Sequence, residues 1–485
     1  MERFRTLHKA VSIISDSRKV TPGCAFVAIP CEDVDLHVKE ALEKGAIIVI
    51  REGKGKFSEK TLYVRNARKS LAKLSSDFFE ERPEVLLGVT GTNGKSSVVS
   101  FVSQILGLFN IKTASIGTLG VNVLNSTFQI NDSLDPGFKN MTTYDPFIFH
   151  RILRDLSKSD FKCAAIEATS HGLHQYRLDG VKFDAVALTN ITQDHLDYHK
   201  TMARYVAAKG RLFSELAKDC AVAVLNKKSN FLEFFKKKSE KLKLKVIFFA
   251  IDEDTDICAT NIIQNEKGTN FDLKVFNQIF KNVSFKVNGR FQIENLLCAI
   301  GLISVKYPQV IKRIDDVIPH LDTVPGRLEF VGMHNGGKVF VDFSHTPDAL
   351  EKVLGELRGQ NPNNLIVVFG CGGQRDVKKR PIMGEIAFRL ADQVIITDDN
   401  PRSEDPEKIR KDILSGVIDM AKVVEIPGRD KAVKEALTYV GEKDILLVTG
   451  RGHEEFQKIG NTEIPFNDVE FIKKNISLKK SLTMM

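Results

Sequence analysis

The 485-residue sequence predicts a multidomain α/β protein built on parallel sheets, with a central phosphate-loop unit, a Rossmann-like C-terminal unit and a small N-terminal α/β unit. Three observations carry this prediction. The chain is about three times as long as an ordinary domain. Short apolar runs alternate with segments of helical spacing, the pattern of strands covered on both faces by crossover helices. The run Val85 to Thr90 passes through a Gly-rich turn into a helical segment, Ser97 to Leu108, which is a strand–loop–helix beginning.

In chain order, Cys24 to Ile29 and Ala46 to Ile50 read as strands, Val38 to Lys44 as a helix closed by Gly45, and Ala67 to Glu80 as a helix ended by Pro83. This unit spans residues 1–85. A second spans 86–323, with further strands at Cys163 to Ile166, Ala185 to Leu188, Ala221 to Leu225 and Val246 to Phe249 in a parallel sheet. A third, 324–485, has strands at Val339 to Val341, Leu365 to Phe369, Val394 to Ile396 and Ile445 to Val448, again parallel. The tail beyond Ile476 is basic and expected to fray.

Composition narrows the class. Apolar residues make up 42% and charged residues 27%, so several cores can be buried. The net charge of +8 is small beside 70 basic and 62 acidic residues, and Lys236 to Lys245 reads as a solvated basic helix face. With no nucleic-acid-binding motif present, no nucleic-acid partner is expected. The seven cysteines are scattered without a C-x-x-C pair, which argues against disulfides and structural zinc. The start, Met1 to Thr6, lacks the apolar core of a signal peptide, and no run of about 18 apolar residues occurs. A cytoplasmic protein without membrane insertion is expected, in the monomeric state.

The sharpest local signal is Gly91-Thr92-Asn93-Gly94-Lys95-Ser96. Glycines let backbone N–H groups approach phosphate oxygens, the following helix N-terminus adds positive potential, Lys95 can neutralise β/γ-phosphate charge and Ser96 can offer a hydroxyl to Mg²⁺. Val89 stands where the longer phosphate-loop pattern has its first Gly.

With this loop, Asp16-Ser17-Arg18, Glu167-Ala-Thr-Ser-His171 with Gln175 and Arg177, Thr189-Asn190, Asp194-His195-Leu-Asp197-Tyr-His199, Val324-Pro-Gly-Arg327, Asp342-Phe-Ser-His345, Asp399-Asn-Pro-Arg402 and Gly450-Arg-Gly-His-Glu454 follow one another along nearly the whole chain. The series resembles the Mur ligase family, whose ATP loop has the shorter G-x-x-G-K-S/T form. It is most similar to the branch that adds the third amino acid, and Asp399 to Arg402 resembles the motif of the diaminopimelate-adding type.

The resemblance implies an ATP-dependent amide ligase with UDP-MurNAc-L-Ala-D-Glu and meso-diaminopimelate as small-molecule substrates, acting through an acyl phosphate. It implies ATP contacts from Gly91, Thr92, Asn93, Gly94, Lys95, Ser96, Ser97, Asn295, Arg327 and Asp342. It implies catalytic or Mg²⁺-holding roles for Lys95, Ser96, Glu167, His195 and Lys209, the last as a CO₂-derived carbamate. It implies nucleotide-peptide contacts from Ser17, Thr142, Thr143, Thr169, Ser170, Gln175 and Arg177. For the incoming amino acid it implies Arg375, Asp399, Asn400, Pro401, Arg402, Gly450 and Glu454. Diaminopimelate has a second amino-acid end, so Arg402 can pair its carboxylate and Glu454 its ammonium. Lysine would leave Arg402 unpaired at roughly 3–5 kcal/mol.

By its own sequence context Lys209 reads as a surface helix lysine, and its metal role rests on the resemblance alone. His195 and His199 have i, i+4 spacing but lack the Glu-x-x-His of a zinc protease helix. The chain departs from the family pattern at Gln374, Arg451, Gln292 and Asn226-Lys227-Lys228. A related ligase with another acceptor, such as a folate polyglutamate synthase, is the nearest alternative, and Asp16 to Arg18 and Asp399 to Arg402 argue against it. A nucleic-acid-associated phosphate-loop protein is the alternative of another class.

Overall fold

The computed structural model describes residues 9–54, 60–124, 141–265 and 268–476. The expectations for Met1 to Thr6 and for the tail beyond Ile476 fall outside these residues. Among them, no helix is long and apolar enough to cross a membrane.

Near the N-terminus, Ile13–Ile14, Ala25–Ala28, Ile48–Glu52 and Thr61–Val64 form a four-stranded parallel sheet in sequence order. Successive side chains of a strand face opposite ways. Ala25 and Val27 therefore pack with Leu71 of helix Ala67–Phe79, and Phe26 and Ala28 with Ala41 of helix Val34–Glu43. The first helix starts one turn earlier than predicted. The second ends at Phe79, where Glu80 takes φ 45°, so the backbone turns before Pro83 is reached.

The central sheet has ten strands. Seven are mutually parallel, in the order Ile257–Asn265, Lys245–Ile251, Ala217–Asn226, Phe183–Leu188, Val85–Thr90, Cys163–Glu167 and Thr113–Gly117. The predicted parallel sheet is extended at both margins by antiparallel strands. Gly120–Val123 pairs antiparallel at one edge, and Gly268–Val275 and Gln278–Phe285 continue the other edge as antiparallel hairpins. Helices cover the parallel middle: Lys95–Leu108 and Arg290–Ser304 lie on one face, Pro146–Lys158 on the other. The hairpins need only one buried face, and Gly268–Val275 alternates accordingly.

The C-terminal sheet has six strands, in the order Glu329–His334, Gly337–Asp342, Ile445–Thr449, Leu365–Phe369, Gln393–Ile396 and Val423–Glu425. Five are parallel, as the sequence predicts, and the added edge strand Glu329–His334 is antiparallel. Leu365, Val367 and Phe369 face helices Pro347–Arg358 and Lys379–Leu390, while Ile366 and Val368 face Arg429–Tyr439 and Asp468–Asn475.

Candidate active site

In open α/β sheets ligands bind beyond the carboxyl ends of the strands. The predicted residues gather at such ends on both sheets. In the central sheet, Thr90, Glu167 and Leu188 end three adjacent strands, and the loops that follow carry Gly91 to Gly94 and Thr189-Asn190. In the C-terminal sheet, Asp342, Thr449, Phe369 and Ile396 end adjacent strands leading to Ser344, Gly450, Gly370 and Asp399.

The phosphate loop needs its glycines. Gly91 takes φ 149°, and a Cβ there would stand 1.8 Å from Thr189 Oγ1. Gly94 takes φ 86°, and a Cβ there would stand 2.2 Å from Asn295 Oδ1. The neighbouring strand end braces the loop. Thr92 N–H donates to the Asn190 carbonyl at 2.9 Å, Asn93 N–H to Asn190 Oδ1 at 3.0 Å, and Thr189 Oγ1 to the Asn93 carbonyl at 2.6 Å. The helix begins at Lys95, directly after Gly94 and two residues before the predicted start.

Two lysines meet this loop. Lys95 Nζ donates to the carbonyls of Gly91 and Thr92 at 3.1 and 2.8 Å. Lys209 Nζ also donates to the Gly91 carbonyl, at 2.8 Å. The surface reading of Lys209 is wrong: it is 1% exposed, on the inward face of helix Met202–Arg211, with Nζ 4.6 Å from the Tyr205 ring centroid. Burial, reinforced by nearby Lys95, pushes the Lys209 ammonium well below its usual value. Burial lowers Lys95 too, with Glu167 and Asp194 pulling the other way.

Glu167 accepts hydrogen bonds from Thr118 N–H at 2.9 Å and Thr118 Oγ1 at 3.2 Å, and Gly117 leaves it room. His195, at φ 55°, stands 3.3 Å from Asp194 Oδ2 and edge-on to His171 at 4.6 Å between centroids. Burial holds the imidazole down to about 3 despite Asp194. Among the described residues no group of three or more His, Cys, Asp or Glu converges as a ready-made metal cage.

Most residues implied for the nucleotide-peptide form one network beside Glu167. Thr142 Oγ1 lies 3.1 Å from Thr118 Oγ1, and Thr143 Oγ1 lies 2.8 Å from Thr169 Oγ1. Arg177 donates to the Thr143 carbonyl at 2.8 Å and to Gln175 Oε1 at 2.7 Å. Thr169 caps helix Ser170–His174, and the buried Ser170 hydroxyl has no hydrogen-bond partner among the described residues. Ser17 lies apart, in the N-terminal unit, donating to Glu40 at 2.6 Å.

The C-terminal unit closes the nucleotide side. Arg327 Nη2 donates to Ser96 Oγ at 3.4 Å, its guanidinium lies 4.4 Å from the Phe343 ring centroid, and its Nε has no hydrogen-bond partner among the described residues. Asp342 accepts from Leu328 N–H at 2.6 Å. Asn93 Nδ2 donates to Asp348 Oδ2 at 2.9 Å, joining the loop to the start of helix Pro347–Arg358. Asn93, Gly94, Ser96, Ser97, Asn295, Arg327 and Asp342 together line one pocket.

Deeper in that unit, Asn400 Nδ2 donates to Glu454 Oε2 at 2.7 Å, and Arg402 Nη1 to the Gly373 carbonyl at 2.7 Å. Arg402 takes φ 54°, held by its N–H on the Lys458 carbonyl at 3.0 Å. Gly450 takes φ 112°, and a Cβ there would stand 2.6 Å from Asp399 Oδ2. Pro401 lies between Asn400 and Arg402, and its carbonyl leaves Gly373 no room for a side chain. Arg375 is exposed, close enough to act electrostatically on both His171 and Arg402. Burial beside Asp399 pushes the Glu454 carboxyl up to about 7.

Asn190, which the sequence singled out in the Thr189-Asn190 motif without a role, braces the loop. The sequence reading missed three supports: Tyr205, Asp348 and the Gln193–Asp376 contact at 3.1 Å. These depend on the approach of distant segments.

A phosphate loop on one largely parallel sheet, sharing a pocket with Arg327 and Asp342 of a second, defines a nucleotide-binding enzyme assembled from two α/β units. Residues 89–303 match the Mur ligase middle domain, and residues 326–452 the Mur ligase, glutamate ligase domain. The UDP-N-acetylmuramoyl-L-alanyl-D-glutamate–2,6-diaminopimelate ligase of Rickettsia prowazekii (strain Madrid E) is 38% identical over 475 residues, 96% of each chain. The protein of that name from Agrobacterium fabrum is 36% identical over 474 residues, 96% of this chain and 93% of its own. A solved structure of a ligase with that name superposes with a TM-score of 0.67 at 30% identity, covering 96% of this chain and 94% of its own. The chain belongs to the Mur ligase family.

Proposed function

We propose that this protein is an ATP-dependent amide ligase that adds meso-2,6-diaminopimelate to UDP-MurNAc-L-Ala-D-Glu, a step in making a peptidoglycan precursor. The observation that carries the acceptor is the gathering of opposite charges beyond the strand ends of the C-terminal sheet, Glu454 hydrogen-bonded to Asn400 with Arg402 near enough to act on it electrostatically, in a chain similar over nearly its whole length to ligases of that name.

A carboxylate and an amine do not condense in neutral water. ATP changes this: a carboxylate oxygen of the D-Glu residue attacks the γ-phosphorus, ADP leaves, and the acyl phosphate that forms is a good electrophile. The acceptor amine, having lost its proton, attacks the acyl carbon, and inorganic phosphate departs. Positioning and charge neutralisation do most of this work. Lys95, at the mouth of the loop, takes the phosphate charge once nucleotide displaces its contacts with the loop carbonyls. Arg327 brings a second cation from the other unit. Thr143, Thr169, Gln175 and Arg177 hold the carboxylate-bearing peptide beside Glu167, with Thr142 and Ser170 at its margin and Ser17 toward the uridine end.

The donors fit a divalent cation. Ser96, Glu167 and His195 would hold Mg²⁺ with oxygens from the phosphates, and it would supply further neutralisation of the phosphate charge. Lys209 fits carbamylation because a buried, neutral amine is the form that adds CO₂, turning a repelled cation into an anionic oxygen donor. In the acceptor pocket Arg402 pairs the distal carboxylate, Glu454 the distal ammonium, and Asp399, Asn400, Gly450 and Arg375 shape and charge the rim.

The test is phosphate release with mass spectrometry of the product. The protein receives ATP, Mg²⁺, UDP-MurNAc-L-Ala-D-Glu and either meso-diaminopimelate or L-lysine. A product heavier by one diaminopimelate residue, formed only with that acceptor, is expected. A lysine product would overturn the acceptor assignment. No product with either, from folded protein that binds ATP, would favour a related ligase with another acceptor.

A further inference from the structure

Among the groups around the acceptor pocket, Arg451 stands out because it cannot touch a ligand. It is 0% exposed. Its backbone is flanked by two glycines at positive φ, Gly450 at 112° and Gly452 at 53°. A Cβ at Gly452 would lie 2.8 Å from the Gly326 carbonyl oxygen and from Phe343 Cβ, so the loop is pinned and the Arg451 side chain turns inward. Its Nη2 donates to the Phe466 carbonyl at 2.9 Å, its guanidinium lies 5.4 Å from the Phe466 ring centroid, and Nε and Nη1 have no hydrogen-bond partner among the described residues.

A buried cation needs a counter-charge. Asp468 is committed to Arg429, which grips it through Nε and Nη2, both at 2.8 Å, with both side chains fully buried. Asp399 Oδ1 accepts from the Asn400 N–H at 2.6 Å. Asp468, Asp399 and Glu454 all act electrostatically on Arg451, and Glu454 makes the ion-pair contact, with Oε2 3.6 Å from Nε. The Glu454 N–H donates to the Arg451 carbonyl at 3.0 Å, closing a turn that fixes one side chain relative to the other.

We propose that Arg451 is a positioning residue for the acceptor: through Glu454 it sets the charge and place of the carboxylate that meets the distal ammonium. This rests on the acceptor reading above. The groups facing Glu454 are Asp399, Asn400 and Arg402 from the segment after strand Gln393–Ile396, Arg429 from helix Arg429–Tyr439, and Arg451 from its own loop. Burial and Asp399 favour the protonated acid; Asn400, Arg451 and Arg402 favour the carboxylate. Arg402 is to be engaged by the acceptor's own carboxylate, and Arg429 is held by both oxygens of Asp468, which leaves Arg451 as the cation without another ion-pair partner that stays beside Glu454 through binding.

The experiment measures the pH dependence of the meso-diaminopimelate KM from pH 6 to 9 in the full chain. Arg451→Met and Arg451→Gln remove the charge, Arg451→Lys retains it, and Glu454→Gln is the control. Expressing each variant as a ratio to the unaltered protein cancels titration of the acceptor. Met and Gln are expected to move the KM profile alkaline by about one pH unit, raising KM roughly fivefold at pH 7 and little at pH 9, with the ATP KM unchanged. Arg451→Lys is expected to restore the profile. A KM ratio for Met and Gln that is constant across pH, or no change at all, overturns the proposal, as does a Lys variant as shifted as Met. If the unaltered protein makes no diaminopimelate product, or Glu454→Gln leaves the acceptor KM untouched, the acceptor reading fails instead.

Discussion

At the scale of single residues, burial does more than sequence context to decide what a side chain can do. Lys209 shares the Gly91 carbonyl with Lys95, and two ammonium groups cannot both stay charged there at low cost. Replacing it by Ala is expected to abolish turnover, with partial recovery on adding short carboxylates such as acetate or formate. Phosphate release with and without the additive checks this, and full activity without it would remove the carbamate role. Arg402→Ala is expected to raise the diaminopimelate KM about a hundredfold while the ATP KM stays within about threefold, because its loss strips the acceptor's carboxylate of its partner. Equal loss of both would count against recognition. Gly94→Ala carries two penalties. A left-handed backbone costs Ala about 1–2 kcal/mol, and its Cβ would drive Asn295 from the nucleotide pocket. A raised ATP KM with a lowered melting temperature is the expected pair of readouts.

At the scale of elements, helix starts join the two sheets. Thr346 caps helix Pro347–Arg358 by accepting from Ala349 N–H at 3.3 Å, and its hydroxyl lies 3.5 Å from Asn93 Oδ1 of the phosphate loop. Thr346→Ala is expected to cost about 1 kcal/mol, a melting shift of roughly 2–4 °C, with a weaker grip on ATP besides. Calorimetry with and without ATP separates the two effects. The same scale explains what could be read beforehand. Leu365–Phe369 and Val85–Thr90 are buried on both faces, so they read as unbroken apolar runs whose bounds were found. Gln278–Phe285 is largely exposed and carries Lys281 and Asn282 toward solvent, so no apolar run announced it. Site residues on strand ends were legible through their motifs. Asp348 and Tyr205 were not, because their partners lie 255 and 113 residues away in sequence.

At the scale of the whole molecule, buried neutral histidines shape the response to acid. His150, His345 and His453 are each lowered by burial to about 4. Their folded values lie below the unfolded value of about 6.5, so between these the unfolded chain binds more protons. Their contribution is complete above about pH 6.5 and is lost as the pH falls toward 4. Glu454 acts oppositely, since its raised value favours folding at low pH and that contribution fades between about 4.5 and 7. His171, His195 and His199 are lowered in the same way, while Asp145, Asp179, Glu294 and Asp342 are raised by burial like Glu454. The histidines span the interval, and the melting temperature is expected to fall from pH 6.5 to 4.5. A flat profile over that interval would mean that these rings are not kept neutral.

The contact of Asn93 with Asp348 has a consequence for how the chain behaves if cut. The nucleotide pocket is a seam, with Gly94 and Asn295 on one side and Arg327 and Asp342 on the other. Whatever binds in a seam stitches its edges, and by reciprocity the edges tighten the stitch by the same factor. Fragments 1–323 and 324–485, expressed separately, would then behave as a two-part lock: weak partners alone, and a working pair once ATP is added.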